Sequence, residues 1–147
     1  MRIAALLAVA ALVACAPKEE MPAADSPAPA AAAPTLADFA GTWNLAVVLE
    51  GVPDTIRSTM TGTPDGTWTT SLEGRPNIPT TAAMSGDSIV ITTAEYESIL
   101  RQGVMTTVRS AGMKMGDNMM HGTVQVTYKT PTGDQIVNGT FNGTKTP

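Results

Sequence analysis

Short turn-forming clusters recur along this chain at close, regular intervals: Gly51-Val52-Pro53-Asp54, Pro64-Asp65-Gly66, Gly74-Arg75-Pro76-Asn77, Ser85-Gly86-Asp87, Gly116-Asp117-Asn118 and Pro131-Thr132-Gly133-Asp134. Gly, Pro, Asn and Asp each favour turns for a different conformational reason, so the clusters mark places where the chain reverses. Between them lie eight runs rich in β-formers: 42–49, 55–62, 67–73, 80–84, 88–93, 104–115, 119–129 and 135–145. Twenty-two Thr residues, most of them in these runs, suit a half-buried pleat. Alternation sets one apolar face per run: Trp43, Leu45, Val47 and Leu49; Ile56, Ser58 and Met60; Trp68, Thr70 and Leu72; Ile89 and Ile91; Val124, Val126 and Tyr128. No connection has the length and period of a crossover helix, so the strands are expected to pair antiparallel in a meander. Eight such strands either close on themselves or split into a sandwich. Closure abolishes both edges and is the expectation here: an all-β, small eight-stranded antiparallel up-and-down barrel in which the strand ending at Lys145 pairs with the strand starting at Thr42.

One segment departs from the strand pattern. In residues 92–103, Tyr96, Ile99 and Leu100 fall at helical spacing, Thr92 and Glu95 have capping-box spacing, Arg101 lies toward the end and Gly103 follows it. This predicts one short helix between strands five and six, lying over one mouth of the barrel. A bulged loop is the alternative reading of the same residues.

The N-terminus carries an address. Met1-Arg2 precedes the apolar run 3–13, which is too short to span a bilayer and reads as a secretion signal. Leu12-Val13-Ala14-Cys15 resembles the lipobox of bacterial lipoprotein precursors, and that resemblance implies cleavage before Cys15 and acylation of its thiol and freed amine. Several acyl chains hold a protein to a membrane where one holds only marginally. Among such lipoproteins an Asp after the cysteine favours the inner membrane; Ala16 here implies the outer membrane, facing the periplasm. Residues 16–34 are mostly Ala and Pro, a composition that buries too little to fold and makes a semi-rigid spacer of at most ~60 Å. The expected organisation is therefore signal peptide 1–14, lipidated Cys15 with linker to residue 35, and a β-barrel domain over 36–147.

Gly41-Thr42-Trp43, at the start of the first strand, resembles the first signature of the lipocalins and related small barrels. In that family the Trp plugs one end of the barrel and a cation from the last strand packs on it. The matching cation is Lys145, where the family usually has Arg. The resemblance implies a barrel that binds a small apolar or amphiphilic ligand. Read from the residue alone, Trp43 is equally a large core side chain. The hairpin sequence 116–123 is also similar to that of uncharacterised bacterial lipoproteins.

The formal net charge of −4 lacks the basic footprint of a nucleic-acid binder. A single Cys and a single His exclude a disulfide framework, a four-cysteine zinc site and most nucleophilic constellations. No catalytic motif is present, and Glu95 and Glu97, two apart, do not face one another on a helix. The reading is therefore a protein that is not an enzyme and has no cofactor, with the membrane and a small ligand as its partners; the alternative is a structural or protein-interaction role in the envelope. Candidate ligand contacts are Tyr96 and Arg101 at the mouth, with Arg101 placed to meet an anionic head group, and Arg109 in mid-strand. Arg109 faces solvent if Val104 and Val108 point inward, and enters the barrel if Met105, Met113 and Met115 do. A less favoured reading is copper binding: Met113, Met115, Met119, Met120 and His121 flank one turn and are soft ligands of the kind that select Cu(I). Against it, Met is a common core filler, and Met119 and Met120 point to opposite faces of a regular strand.

Overall fold

The computed structural model describes residues 32–147; the expected signal peptide, the expected lipidation site Cys15 and the expected linker as far as residue 31 lie outside the described residues. The described chain begins with a single helical turn, α1 (Leu36–Phe39). Thr35 caps it: the Asp38 carboxylate accepts from the Thr35 backbone N–H at 2.6 Å and from its hydroxyl at 2.8 Å. These bonds to the charged form, the backbone one first, hold the Asp38 carboxyl below its usual range. The turn delivers Phe39, fully buried, to the end of the sheet that follows.

Nine strands succeed it: β1 (Gly41–Leu49), β2 (Ile56–Gly62), β3 (Trp68–Leu72), β4 (Ile78–Ser85), β5 (Ser88–Thr93), β6 (Tyr96–Glu97), β7 (Met105–Lys114), β8 (Met119–Thr130) and β9 (Gly133–Lys145). All pairings are antiparallel. Eight of the strands close into a barrel, because β1 pairs with β9 from Trp43↔Lys145 to Leu49↔Gly139 and β5 pairs with β7 from Ile89↔Gly112 to Thr92↔Arg109. Each of the eight β-former runs became one barrel strand, with ends within two residues of the expected ones.

The predicted helix over 92–103 is absent. In its place β5 ends at Thr93 and the extra strand β6 continues along β7. Thr92 pairs with Arg109 and Tyr96 with Thr106, so residues 93–95 face only residues 107 and 108. One extra residue on one side is a bulge. The Thr93 hydroxyl accepts the Val108 N–H at 2.9 Å across it, and the Ala94 N–H turns away to the Pro79 carbonyl at 2.7 Å. The physical reason is twofold. A helix here would leave the edge of β7 at Met105 and Thr106 without a partner, and one or two turns of helix cannot stabilise themselves against that loss. An unbulged strand, in turn, would point Glu95 and Glu97 into the barrel. The bulge shifts the parity, so that Glu95 is exposed while Tyr96 and Ser98 turn inward.

Inward positions follow the expected alternation. Trp43, Leu49, Met60, Trp68, Ile89, Ile91, Val124, Val126 and Tyr128 are buried core, with Leu45, Val47 and Ile56 packed against them. Val48, between two inward residues, is half exposed on the outer face.

Candidate ligand cavity and its mouth

The two ends of the barrel are filled differently. At one end Phe39, Trp43, Met60, Ile89 and Met120 are each at most 1% exposed, and of these only Met60 borders the cavity that lies beyond them. The Trp43 indole N–H donates to the Phe39 carbonyl at 2.7 Å, tying the plug to α1. Lys145, directly paired with Trp43, places its ammonium 5.5 Å from the indole centroid, within cation–π range. The Lys114 ammonium donates to the Asp38 carbonyl at 3.3 Å nearby.

Toward the other end the side chains draw apart around a cavity of about 80 Å³. Its walls are apolar: Leu45, Val47, Leu72, Ile91, Val108 and Val126 contribute, with Phe141 among the residues that also line it. Hydroxyl residues line it too, but the barrel itself engages several of their hydroxyls. Thr93 accepts from Val108, Thr106 donates to the Thr127 carbonyl at 2.9 Å, and the Ser98 hydroxyl accepts the amides of Leu100 and Arg101, both at 3.1 Å. Bound in this way, these residues add little polarity to the space they enclose.

The β6–β7 hairpin forms the lid of this end. The Ser98 N–H donates to the Val104 carbonyl at 2.8 Å, extending the ladder by one pair and leaving residues 99–103 as the loop. Gly103 takes a φ of +74°, which favours glycine, and its N–H donates to the Glu97 carboxylate at 2.9 Å. Ile99 and Leu100 at the tip line the cavity on one side and stand 41% and 40% exposed on the other.

Two guanidinium groups flank the tip. Arg101 lies 4.1 Å above the centroid of the buried Tyr128 ring and donates to the Gln135 side-chain oxygen at 2.6 Å. Arg75, from the β3–β4 turn, sits 3.7 Å from the Glu97 carboxylate and donates to the Ser98 carbonyl at 3.5 Å. Tyr96 lies at the same mouth. Burial is the main cause that pushes its phenol up to about 12, with Tyr128 adding to the rise and Arg75 opposing it. The phenol is thus neutral at any physiological pH.

The structure brings Tyr96 and Arg101 to one mouth, Tyr96 lining the cavity and Arg101 covering Tyr128 from the rim rather than entering the interior. Arg109 is not with them. Val108 lines the cavity, so its neighbour Arg109 stands exposed on the outer face of β7. Arg75 is the mouth residue that the sequence did not reveal; it reads there as part of a turn, and only the pairing order carries that turn to β6. Of the Met-rich turn, Met120 is core, whereas Met113, Met115, Met119 and His121 lie exposed on the outer face. No protein-family model matches the chain, and none of the curated proteins compared with it is similar enough to count as a match.

Proposed function

We propose that this chain is a lipid-anchored protein of the bacterial envelope, held on the periplasmic side of the outer membrane, whose barrel takes the apolar part of a small amphiphile. The observation that carries the reading is the asymmetry of the interior: one end is closed by buried side chains around Trp43, and the other keeps an apolar cavity under a hydrophobic loop tip flanked by two arginines. An apolar space with a few convergent polar groups at its rim is the usual form of a small-molecule site. The lipocalin-like start of β1 and the lipobox with its Ala- and Pro-rich spacer agree with it. Size limits the ligand. At about 80 Å³ the cavity is smaller than the ~150 Å³ apolar void that admits benzene, so a longer chain enters only if Ile99 and Leu100 swing outward. An anionic head group would then meet Arg101 and Arg75.

Native mass spectrometry of the protein extracted from membranes in mild detergent tests this directly. The expected results are an acylated chain, a bound organic mass, and release into the soluble fraction on Cys15→Ser. Arg101→Ala should weaken binding of an anionic fatty-acid probe by about tenfold, while losing the Tyr128 stacking costs only ~1 kcal/mol of stability. A wild type that fractionates as soluble and unacylated overturns the anchoring. A barrel that neither carries a ligand nor binds the probe overturns the binding role.

A further inference from the structure

The β7–β8 hairpin ends at the opposite side of the barrel from the cavity mouth, and its tip has a composition that packing does not explain. Met113 and His121 are directly paired across the two strands. The Met115 N–H donates to the Met119 carbonyl at 2.8 Å, so the next outward pair keeps the same register past the strand ends. Met113 and Met115 are two residues apart on one strand, and Met119 and His121 two apart on the other, which puts all four on one face. Burial agrees: Met113, Met115 and Met119 are 44%, 58% and 56% exposed and His121 is exposed, while Lys114 and Met120 between them turn inward. Three thioethers in water have no role in the core, where Met120, 1% exposed, already fills the space.

From this register we infer that the hairpin tip is a binding site for a soft monovalent d10 cation, Cu(I), held by the thioethers of Met113, Met115 and Met119 and the imidazole of His121. Paired Cβ atoms stand about 5 Å apart across the strands, and same-face neighbours about 7 Å apart along each strand. A thioether on three rotatable bonds covers the distance to the centre of that quadrilateral without moving the backbone. Thioether sulfur selects Cu(I), while the absence of carboxylate or thiolate from the set disfavours Zn(II) and other harder divalent ions. Only Met120 points away, so the opposed directions of Met119 and Met120 divide core from site and do not break the site.

The test uses the full chain carrying Cys15→Ser, so that no thiol competes, titrated anaerobically with Cu(I) in ascorbate against bicinchoninate. One Cu(I) per chain should be withheld from the chelator, with sulfur and nitrogen scatterers in its X-ray absorption spectrum. Each of Met113→Leu, Met115→Leu and Met119→Leu should weaken binding by about tenfold and the triple variant by more, and His121→Gln should remove the nitrogen contribution. Met120→Leu, which alters the core but not the tip, should bind as the parent does. The site is refuted if the chelator strips all Cu(I) from the parent, if the single Leu variants bind as tightly as the parent, or if Zn(II) binds as tightly as Cu(I).

Discussion

The two tryptophans show how much a single polar atom decides. Both are buried, at 0% and 2% exposure, and both lie on inward positions. The Trp43 N–H is bonded to the Phe39 carbonyl, whereas the Trp68 N–H finds no acceptor among the described residues. Losing one half of a buried hydrogen bond costs the desolvation of the group left behind, about 1–3 kcal/mol, and an N–H already without a partner carries that cost in the native state. Trp43→Phe should therefore destabilise by about 1–2 kcal/mol more than Trp68→Phe in urea unfolding, although both lose the same volume. Tyr96 makes a pH prediction. Its folded value lies above the unfolded value of 10.0, so burial favours the neutral phenol; that contribution is full below pH 10 and is lost as pH rises through about 12. Wild-type stability should fall between pH 10 and 12 relative to Tyr96→Phe, read as diverging melting temperatures.

Among the elements, β7 and β8 face each other with glycines at one inward row, Gly112↔Gly122, and Gly122 pairs in turn with Phe141 of β9. The Phe141 ring lies over both glycines. A Cβ on Gly122 would run into the Ala111 carbonyl oxygen, part of the paired strand's backbone, and come to 2.7 Å from Phe141 Cε1. Gly122→Ala is expected to cost about 2–3 kcal/mol in urea unfolding, more than an alanine at an ordinary strand glycine. The β5–β6 bulge belongs to the same scale. Residues 92–103 carry helical spacing and capping chemistry worth a few tenths to about 1.5 kcal/mol each, and all of it gave way to the unpaired edge of β7. Periodicity reports what a segment can do alone; the neighbouring strand decided what it does.

At the scale of the molecule, α1 acts as a stopper. Phe39 closes the packed end and supplies the acceptor for Trp43. A chain starting at Ala32 keeps Thr35, Asp38 and Phe39 and should share the urea midpoint of the full chain. A chain starting at Ala40 loses the Phe39 side chain and the Trp43 acceptor together and should be less stable by about 3 kcal/mol or more.

The sequence alone sufficed for the eight barrel strands, the inward faces of β1, β2, β3, β5 and β8 and the expectation of closure, but not for the short strand β6. Those follow from turn chemistry and a period of two, which are local and repeat eight times, so that small errors at the ends of runs do not propagate. That the last strand would lie beside the first was legible for the same reason, whereas the match of Lys145 to Trp43 came from the resemblance of the first strand to the lipocalin signature. Arg109 stayed open in the sequence because a mid-strand residue has two possible parities, and neighbouring valines and methionines argue for opposite ones. Tertiary structure alone decided three things. It brought Arg75 from a turn to the mouth beside Tyr96, it set a bulge where a helix was expected, and it sorted five clustered soft ligands into one core methionine and four outward side chains. The first depends on the order of strands around the barrel and the second on the edge of β7, while the third follows from the register of one hairpin, with Met113 opposite His121; register is a property of pairs that no single segment carries.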